Sequence, residues 1–440
     1  MAVQPADSGE AVGRGSAALS FLGACLVATA VVFDTTAATL FAGAGLLVLS
    51  LALVPPHRLL GHLASERRLT AALVCVACVA VLVPTTVEAL PRNSLGTLFS
   101  LFIVALAVAQ LFGEWPRRHP IATGMIVMFL AVVAGAASIH SVKGVGLDVV
   151  QLHIQAAAAL ARGENPYGPA VSVLNGSPNA DSGSTIVGYP YPPVAAATFA
   201  GSAWLWGDPR WASLLSWVVV LASGLVLLRV GARIRVSLLP FLLPAAFPGT
   251  SMILQAGWTE PLSAGLLGVA AATWEHPIAS GMALGSAFSS KQYFVIALPL
   301  VLLYRDAGWK PRATATLLTG ALMLMPAFVL DPSRAWRSLV LFHLHTEPRG
   351  DSANIAGVMV RSHLQWIPPA WLGVGISLTL ISLMARRASG VSGFYRALAV
   401  GLGSFFMFAS QAMPNYWYLV AVTAALGSHV ETAYRPATRS

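Results

Sequence analysis

One acid stands apart in this sequence. Asp148 follows a long apolar run and opens the stretch DVVQLHIQAAAALARGENPYG, whose spacing predicts a helix from Leu147 to Arg162. Asp148, Gln151, Gln155 and Arg162 fall on one stripe at helical spacings. Val149, Val150, Ile154, Ala157, Ala158 and Ala161 fall mostly on the other. Such a helix lies on a membrane surface, its acid at the junction of lipid and water. A carboxylate there can serve as general base toward a hydroxyl, because burial against apolar neighbours raises its pKa into a useful range. The plainer alternative is an acid that merely starts a helix.

Three further groups carry chemistry. The segment 331–366 holds Arg334, Arg337, His343, His345, Arg349, Arg361 and His363, together with Trp336 and Trp366. Its His-x-His has no third ligand at a recognisable spacing, so contact with a phosphate or other substrate, or a simple interfacial loop, stands ahead of metal binding. Gln255, Trp258, Glu260 and Lys291 interrupt apolar sequence, which is costly in lipid and marks either a functional group or a structural Glu260–Lys291 pair. Gln411, Asn415, Tyr416, Trp417 and Tyr418 read as an interfacial aromatic belt rather than an acceptor site.

The elements that must position these residues follow from composition. Of 440 residues 56% are hydrophobic and 10% charged, and mean hydropathy is +0.72. A soluble chain carries about 25% charged residues, so a soluble enzyme, a disordered regulator and a fibrous protein are excluded. The expected fold is an all-α integral membrane protein, a polytopic helical bundle of about 11–14 spans with two long extracytoplasmic loops, 141–190 and 331–366. Candidate spans include 121–139, 191–206, 211–228, 237–253, 261–274, 279–304 and 313–330. The run 279–304 is either one tilted helix or two half-helices meeting at Lys291. Cys25, Cys75 and Cys78 all lie in apolar runs and form no disulfide framework or zinc knuckle.

The net charge of +9 comes from arginines and lysines at the ends of apolar runs, a topology signal that excludes nucleic acid as a partner. Arg58, Arg67, Arg68, Arg117, Arg118, Arg305, Lys310, Arg312, Arg386, Arg387, Arg396, Arg435 and Arg439 are assigned to the cytoplasm, and the gaps 34–37, 275–278 and 412–415 to the outside. Arg229, Arg233 and Arg235 conflict with this if 191–206 and 211–228 both cross. Either that loop is external or a neighbour is a half-span, with the proline-rich 237–253 another place for re-entry.

The order of the motifs adds a family resemblance. Asp148 after a span, GENPYG at 163–168, YPYPP at 189–193, LQAGWTEP at 254–261 and SSKQYF at 289–294 together resemble glycosyltransferase family 87 of the C superfold, which includes polyprenyl-phosphate-mannose-dependent α-mannosyltransferases of actinobacteria. The resemblance covers roughly residues 120–330. It implies a C-type glycosyltransferase fold in 120–430, preceded by an N-terminal extension (1–119) of about four spans and followed by a cytoplasmic tail (431–440). It also implies a plasma (inner) membrane enzyme whose site faces the extracytoplasmic side, using a polyprenyl-phosphate sugar donor, mannose foremost, and a cell-envelope glycolipid or polysaccharide acceptor among membrane lipids.

Asp148 is then the catalytic base. The substrate-binding set is Gln151, Gln155, Asn165, Tyr167, Tyr189, Tyr191, Gln255, Glu260, Lys291, His343, His345, Arg349 and Arg361, with the cationic members meeting the leaving phosphate. There is no Asp-x-Asp or Glu-x-Asp around Asp148, and a lone acid fits an inverting displacement with no metal and no cofactor. The competing expectations are a transporter or flippase of a lipid-linked sugar and a non-catalytic scaffold.

Overall fold

The computed structural model describes residues 19–28, 35–51, 102, 105–106, 118–142, 148–168, 171–173, 185–231, 239–247, 249–364, 369–388 and 390–433. Among these the chain is helical apart from one short antiparallel ladder. Four helices are long and apolar enough to cross a membrane: Pro120–Ser141, Arg210–Val230, Trp309–Leu330 and Gly390–Phe408. This is the build of a helical membrane protein.

In chain order the helices are α1 (Leu19–Ala28), α2 (Thr35–Leu51), α3 (Pro120–Ser141), α4 (Asp148–Ala161), α5 (Pro193–Trp206), α6 (Arg210–Gly231), α7 (Leu239–Ala246), α8 (Thr250–Ala256) and α9 (Glu260–Ala272). Then come α10 (Pro277–Phe288), α11 (Leu298–Leu303), α12 (Trp309–Leu330), α13 (Pro332–Trp336), α14 (Phe342–His345), α15 (Ile355–Arg361), α16 (Ala370–Arg387), α17 (Gly390–Phe408) and α18 (Pro414–Ala433). Strands β1 (Val171–Val173) and β2 (Thr185–Val187) pair with Val171 opposite Val187.

Close contacts fix which ends lie together. Gly124 of α3 packs on Leu225 of α6 and Gly135 on Leu214, so the two helices are antiparallel and Arg118 and Arg229 share an end. Gly265 and Gly268 of α9 approach Ser216 and Ser223, so α9 runs parallel to α6 and finishes at the same end. There Asp306 accepts from Trp274 Nε1 at 3.1 Å and pairs with Arg312 at 2.5 Å, while Phe394 packs 5.1 Å from Trp274. Arg118, Arg305, Arg312 and the Arg386–Arg387 pair thus gather at one basic end, as the loop charges predict, and Arg229 joins them there. The described parts of both long loops lie at the opposite end, beyond Ser141 of α3 and Leu330 of α12.

From the basic end α7 and α8 rise as one broken span. Phe241 lies against Gly124 and Gly224, Ser251 hydrogen-bonds Ser138 at 2.7 Å, and Gln255 donates to Ser141 at 3.2 Å. The break falls at Gly249, whose φ of 80° suits glycine alone among common residues. Helix α10 also rises from the basic end, parallel to α12: Pro277 packs on Gly308, Gly281 on Ala315, and Gly285 on Thr319. It stops at Phe288. The chain turns at Lys291, which is extended at φ −149° and ψ 141°, and returns through a 3₁₀ segment (Gln292–Ala297) and α11 to Tyr304, 6.2 Å from Trp274. Residues 277–304 therefore form a re-entrant hairpin with Lys291 at its tip.

Several expectations change. The run 191–206 does not cross. Helix α5 has 14 residues, about 21 Å at 1.5 Å each against a bilayer core of about 30 Å, and it leads to Arg210, whose Nη1 donates to Val142 at the loop-bearing end of α3 at 3.1 Å. That makes 191–206 the half-span and resolves the Arg229 conflict; Arg233 and Arg235 lie outside the described residues. The gap 275–278 sits at the basic end rather than outside, because α9 and α10 meet there. The aromatic run at the start of α18 is no belt: Trp417 and Tyr418 are 0% exposed, with Trp417 Nε1 donating to Ala353 at 3.0 Å. Cys25 is buried, whereas Cys75, Cys78, Trp366, Arg58, Arg67, Arg68, Arg117, Arg435 and Arg439 lie outside the described residues.

Candidate functional site

The Tyr-Pro-Tyr-Pro-Pro segment is the meeting point. Its prolines cannot donate to a helix ladder, and each disfavours the α conformation in the residue before it, so 189–192 stays extended until Pro193 starts α5. An extended strand of this kind exposes its carbonyls and sends successive side chains to opposite sides, and here the Pro190, Tyr191 and Pro192 carbonyls all accept hydrogen bonds.

On one side lies His153 of α4. Its Nε2 is 3.1 Å from the Gly257 carbonyl, which can only accept, so the proton is on Nε2 and Nδ1 accepts from the Tyr189 hydroxyl at 2.9 Å. The ring stacks on Phe199 at 3.9 Å and on Tyr191 at 5.6 Å. Burial holds this imidazole neutral, lowering its pKa to about 3, with Lys291 pushing the same way and the Gly257 hydrogen bond opposing. Gly257 is needed there, since its φ is 65° and a β-carbon would lie 3.3 Å from both Val150 and Arg210.

The second loop approaches the same strand. His343 Nε2 is 3.0 Å from the Pro190 carbonyl and 2.8 Å from Gln292 Nε2, and Gln292 also donates to that carbonyl. Burial lowers the His343 pKa to about 4, against the Pro190 hydrogen bond and helped by Lys291, so it too is neutral. Its neighbour in the His-x-His is elsewhere: His345 is exposed and bonds the carbonyl of Leu341, the residue before α14, at 2.9 Å.

The GENPYG motif braces the strand from behind. Asn165 accepts from the Tyr167 amide at 3.0 Å, an Asx turn, and Tyr167 donates its hydroxyl to the Tyr191 carbonyl at 3.1 Å. Gly188 is pressed so closely that a β-carbon would come within 2.4 Å of the Tyr167 carbonyl.

At the centre, Lys291 Nζ lies 2.8 Å from Glu260 and 4.4 Å from the Tyr191 ring centroid, with Tyr416 at 5.7 Å and Tyr293 at 5.9 Å. Lysine and glutamate are 5% and 0% exposed. Of the two meanings offered for these residues the geometry shows the pair, a buried ion pair that also touches the motif strand. Arg349 pairs with Asp351 at 2.6 Å and lies within electrostatic reach of Tyr416.

Other expected residues fall outside this cluster. Gln255 bonds Ser141 rather than joining Glu260 and Lys291, and the Trp258 carbonyl accepts from Ser213 at 2.9 Å. Arg361 is exposed and donates to the Gly350 carbonyl at 2.8 Å. Gln151 is exposed and Gln155 half-buried, on the outward side of α4. That helix is rotated from the expected register: Val149, Val150, Leu152, His153, Ala156 and Ala157 are buried, while Ile154, Ala158 and Ala161 are exposed. Asp148 begins α4, and its side chain lies outside the described residues.

Sequence reasoning missed His153, Gln292 and the Asp208–Arg210 pair at 2.6 Å that ties α5 to α6. His153 was visible in principle, because positions 149, 150, 153, 156 and 157 share one apolar face. Among the described residues no group of three or more His, Cys, Asp or Glu could hold a metal ion. Neither family models, nor curated proteins, nor solved structures match this chain.

Proposed function

We propose that the chain is a membrane glycosyltransferase that takes a sugar, mannose foremost, from a polyprenyl-phosphate donor at the face opposite the basic end and passes it to a hydroxyl of a cell-envelope glycolipid or glycan. The plasma membrane, with this face extracytoplasmic, is the setting. The observation that supports this reading is the convergence of α4, both long loops and the re-entrant tip on residues 189–193. It gathers a buried cation, aromatic faces and unused hydrogen-bonding groups in one place.

In the proposed step the acceptor hydroxyl gives its proton to Asp148 as its oxygen bonds to the anomeric carbon. The bond from that carbon to the phosphate oxygen breaks, and its electron pair leaves on polyprenyl phosphate. Direct displacement inverts the centre. Lys291, with Arg349 nearby, meets the charge of the departing phosphate. His343 and His153 are neutral and serve as positioning residues for the strand, while His345, Arg361, Gln151 and Gln155 face outward toward acceptor or head groups.

The purified chain incubated with radiolabelled polyprenyl-phosphate-mannose and an envelope glycolipid fraction, with chelator present, should release unglycosylated polyprenyl phosphate. Intact mannose, arabinose and glucose donors after incubation overturn the proposal. The re-entrant hairpin at 277–304 favours a second reading, a flippase for the same lipid, since broken helices carrying a charge at their junction also build transport sites.

A further inference from the structure

The re-entrant tip has more polar capacity than its own contacts use. Glu260 is fully buried, and beyond the ion pair and Tyr293 neither carboxylate oxygen has a hydrogen-bond partner. Thr259 Oγ1, next in the chain, is likewise buried without a partner, and the Tyr293 hydroxyl, two residues past Lys291, is buried with the Glu260 carboxylate as its hydrogen-bonding neighbour. Native proteins leave few such groups unpaired, and several in one place ask for an occupant.

The chemistry narrows that occupant. A metal cation is disfavoured because the Lys291 ammonium already supplies the positive charge at 2.8 Å from Glu260. An anion at the carboxylate oxygens meets like charge. Neutral hydroxyl groups fit both kinds of vacancy, donating to the carboxylate and exchanging hydrogen bonds with the threonine and tyrosine hydroxyls. The Tyr191 and Tyr416 rings beside the lysine offer flat apolar faces to a ring that carries those hydroxyls. In a sugar phosphate, hydroxyl-bearing ring and phosphate are joined directly, which matches an acceptor group and a cation in contact.

We propose that Glu260, with Thr259 and Tyr293, binds the sugar hydroxyls of the lipid-linked donor and sets sugar specificity, while Lys291 faces its phosphate. This rests on the transferase reading above. The test compares the binding of polyprenyl-phosphate-mannose and of unglycosylated polyprenyl phosphate to the full chain in nanodiscs. Wild type should prefer the glycosylated lipid. Glu260→Gln should cut that preference about tenfold or more, the loss of one hydrogen bond to a charged group, with affinity for the bare lipid retained.

Tyr293→Phe and Thr259→Val leave the ion pair in place and should each lower the preference, so the test holds even if Glu260→Gln misfolds. Equal binding of both lipids by wild type, or undiminished preference in Tyr293→Phe and Thr259→Val, overturns the inference alone. A wild type that binds neither lipid overturns the transferase reading and this inference with it.

Discussion

Breaking the Glu260–Lys291 pair from either side should destabilise the protein far more than breaking a surface pair. At 2.8 Å and an effective dielectric constant of about 20, the attraction is about 6 kcal/mol, before the cost of taking both charges out of water is subtracted. Removing one partner leaves the other buried and uncompensated, which costs about 3–5 kcal/mol. The Tyr191 ring at 4.4 Å from Nζ adds about 0.5–2 kcal/mol on the lysine side. Lys291→Met and Glu260→Gln should therefore each lose about 3–5 kcal/mol in reversible denaturant unfolding in mixed micelles. The double variant should lose much less than the sum, because the second removal relieves the charge orphaned by the first. Additive losses, or single losses below about 1 kcal/mol as for exposed pairs, would refute the reasoning.

Other outcomes follow from the same geometry. Tyr189→Phe removes the donor to His153 Nδ1 and should cost about 1–3 kcal/mol in the same unfolding measurement, whereas loss of a hydroxyl from an exposed tyrosine should not register. Gly188→Ala places a β-carbon against the Tyr167 carbonyl and Ser338 and should lower both thermal stability and transfer activity; unchanged values would contradict the close packing of the two motifs. The histidines give a pH dependence of definite sign. With folded pKa values of about 3 for His153 and about 4 for His343, against about 6.5 unfolded, the unfolded state binds more protons between these limits. Stability is full above pH 6.5 and should fall as acid is added toward pH 4, by up to about 1.4 kcal/mol per pH unit for His153 and less for the partly exposed His343. His153→Phe should flatten that profile, as read by melting temperature against pH.

The sequence makes some of this arrangement legible and hides the rest for physical reasons. Apolar runs and their flanking arginines place α3, α6, α12 and α17 and the basic end, because lipid exposure and loop charge act on local sequence. Lys291 within 279–304 leaves one tilted helix or two half-helices open, and the structure shows the second. Hydropathy does not distinguish lipid from protein interior, so α5 has the composition of a span although it is too short to cross, and Trp417 and Tyr418 resemble an interfacial belt although they lie in the core. For the site, the YPYPP segment and the Glu260–Lys291 pair are marked by residue type. The separation of His343 from His345 is not, since it depends on where α14 lands against Pro190, more than 150 residues away in the chain. His153 shares its apolar face with positions 149, 150, 156 and 157, but its partners Tyr189 and Gly257 lie 36 and 104 residues away in the chain.

The central claim is that a bond to the donor sugar is broken at this site. Proteoliposomes holding the wild-type chain or Asp148→Asn, supplied with polyprenyl-phosphate-mannose labelled in the sugar and with envelope glycolipid acceptor, allow label in the acceptor and labelled donor crossing the bilayer to be measured together. The account predicts label in the acceptor with wild type and its loss in a folded Asp148→Asn variant. Label that stays on intact donor and crosses the bilayer equally with both proteins would contradict it.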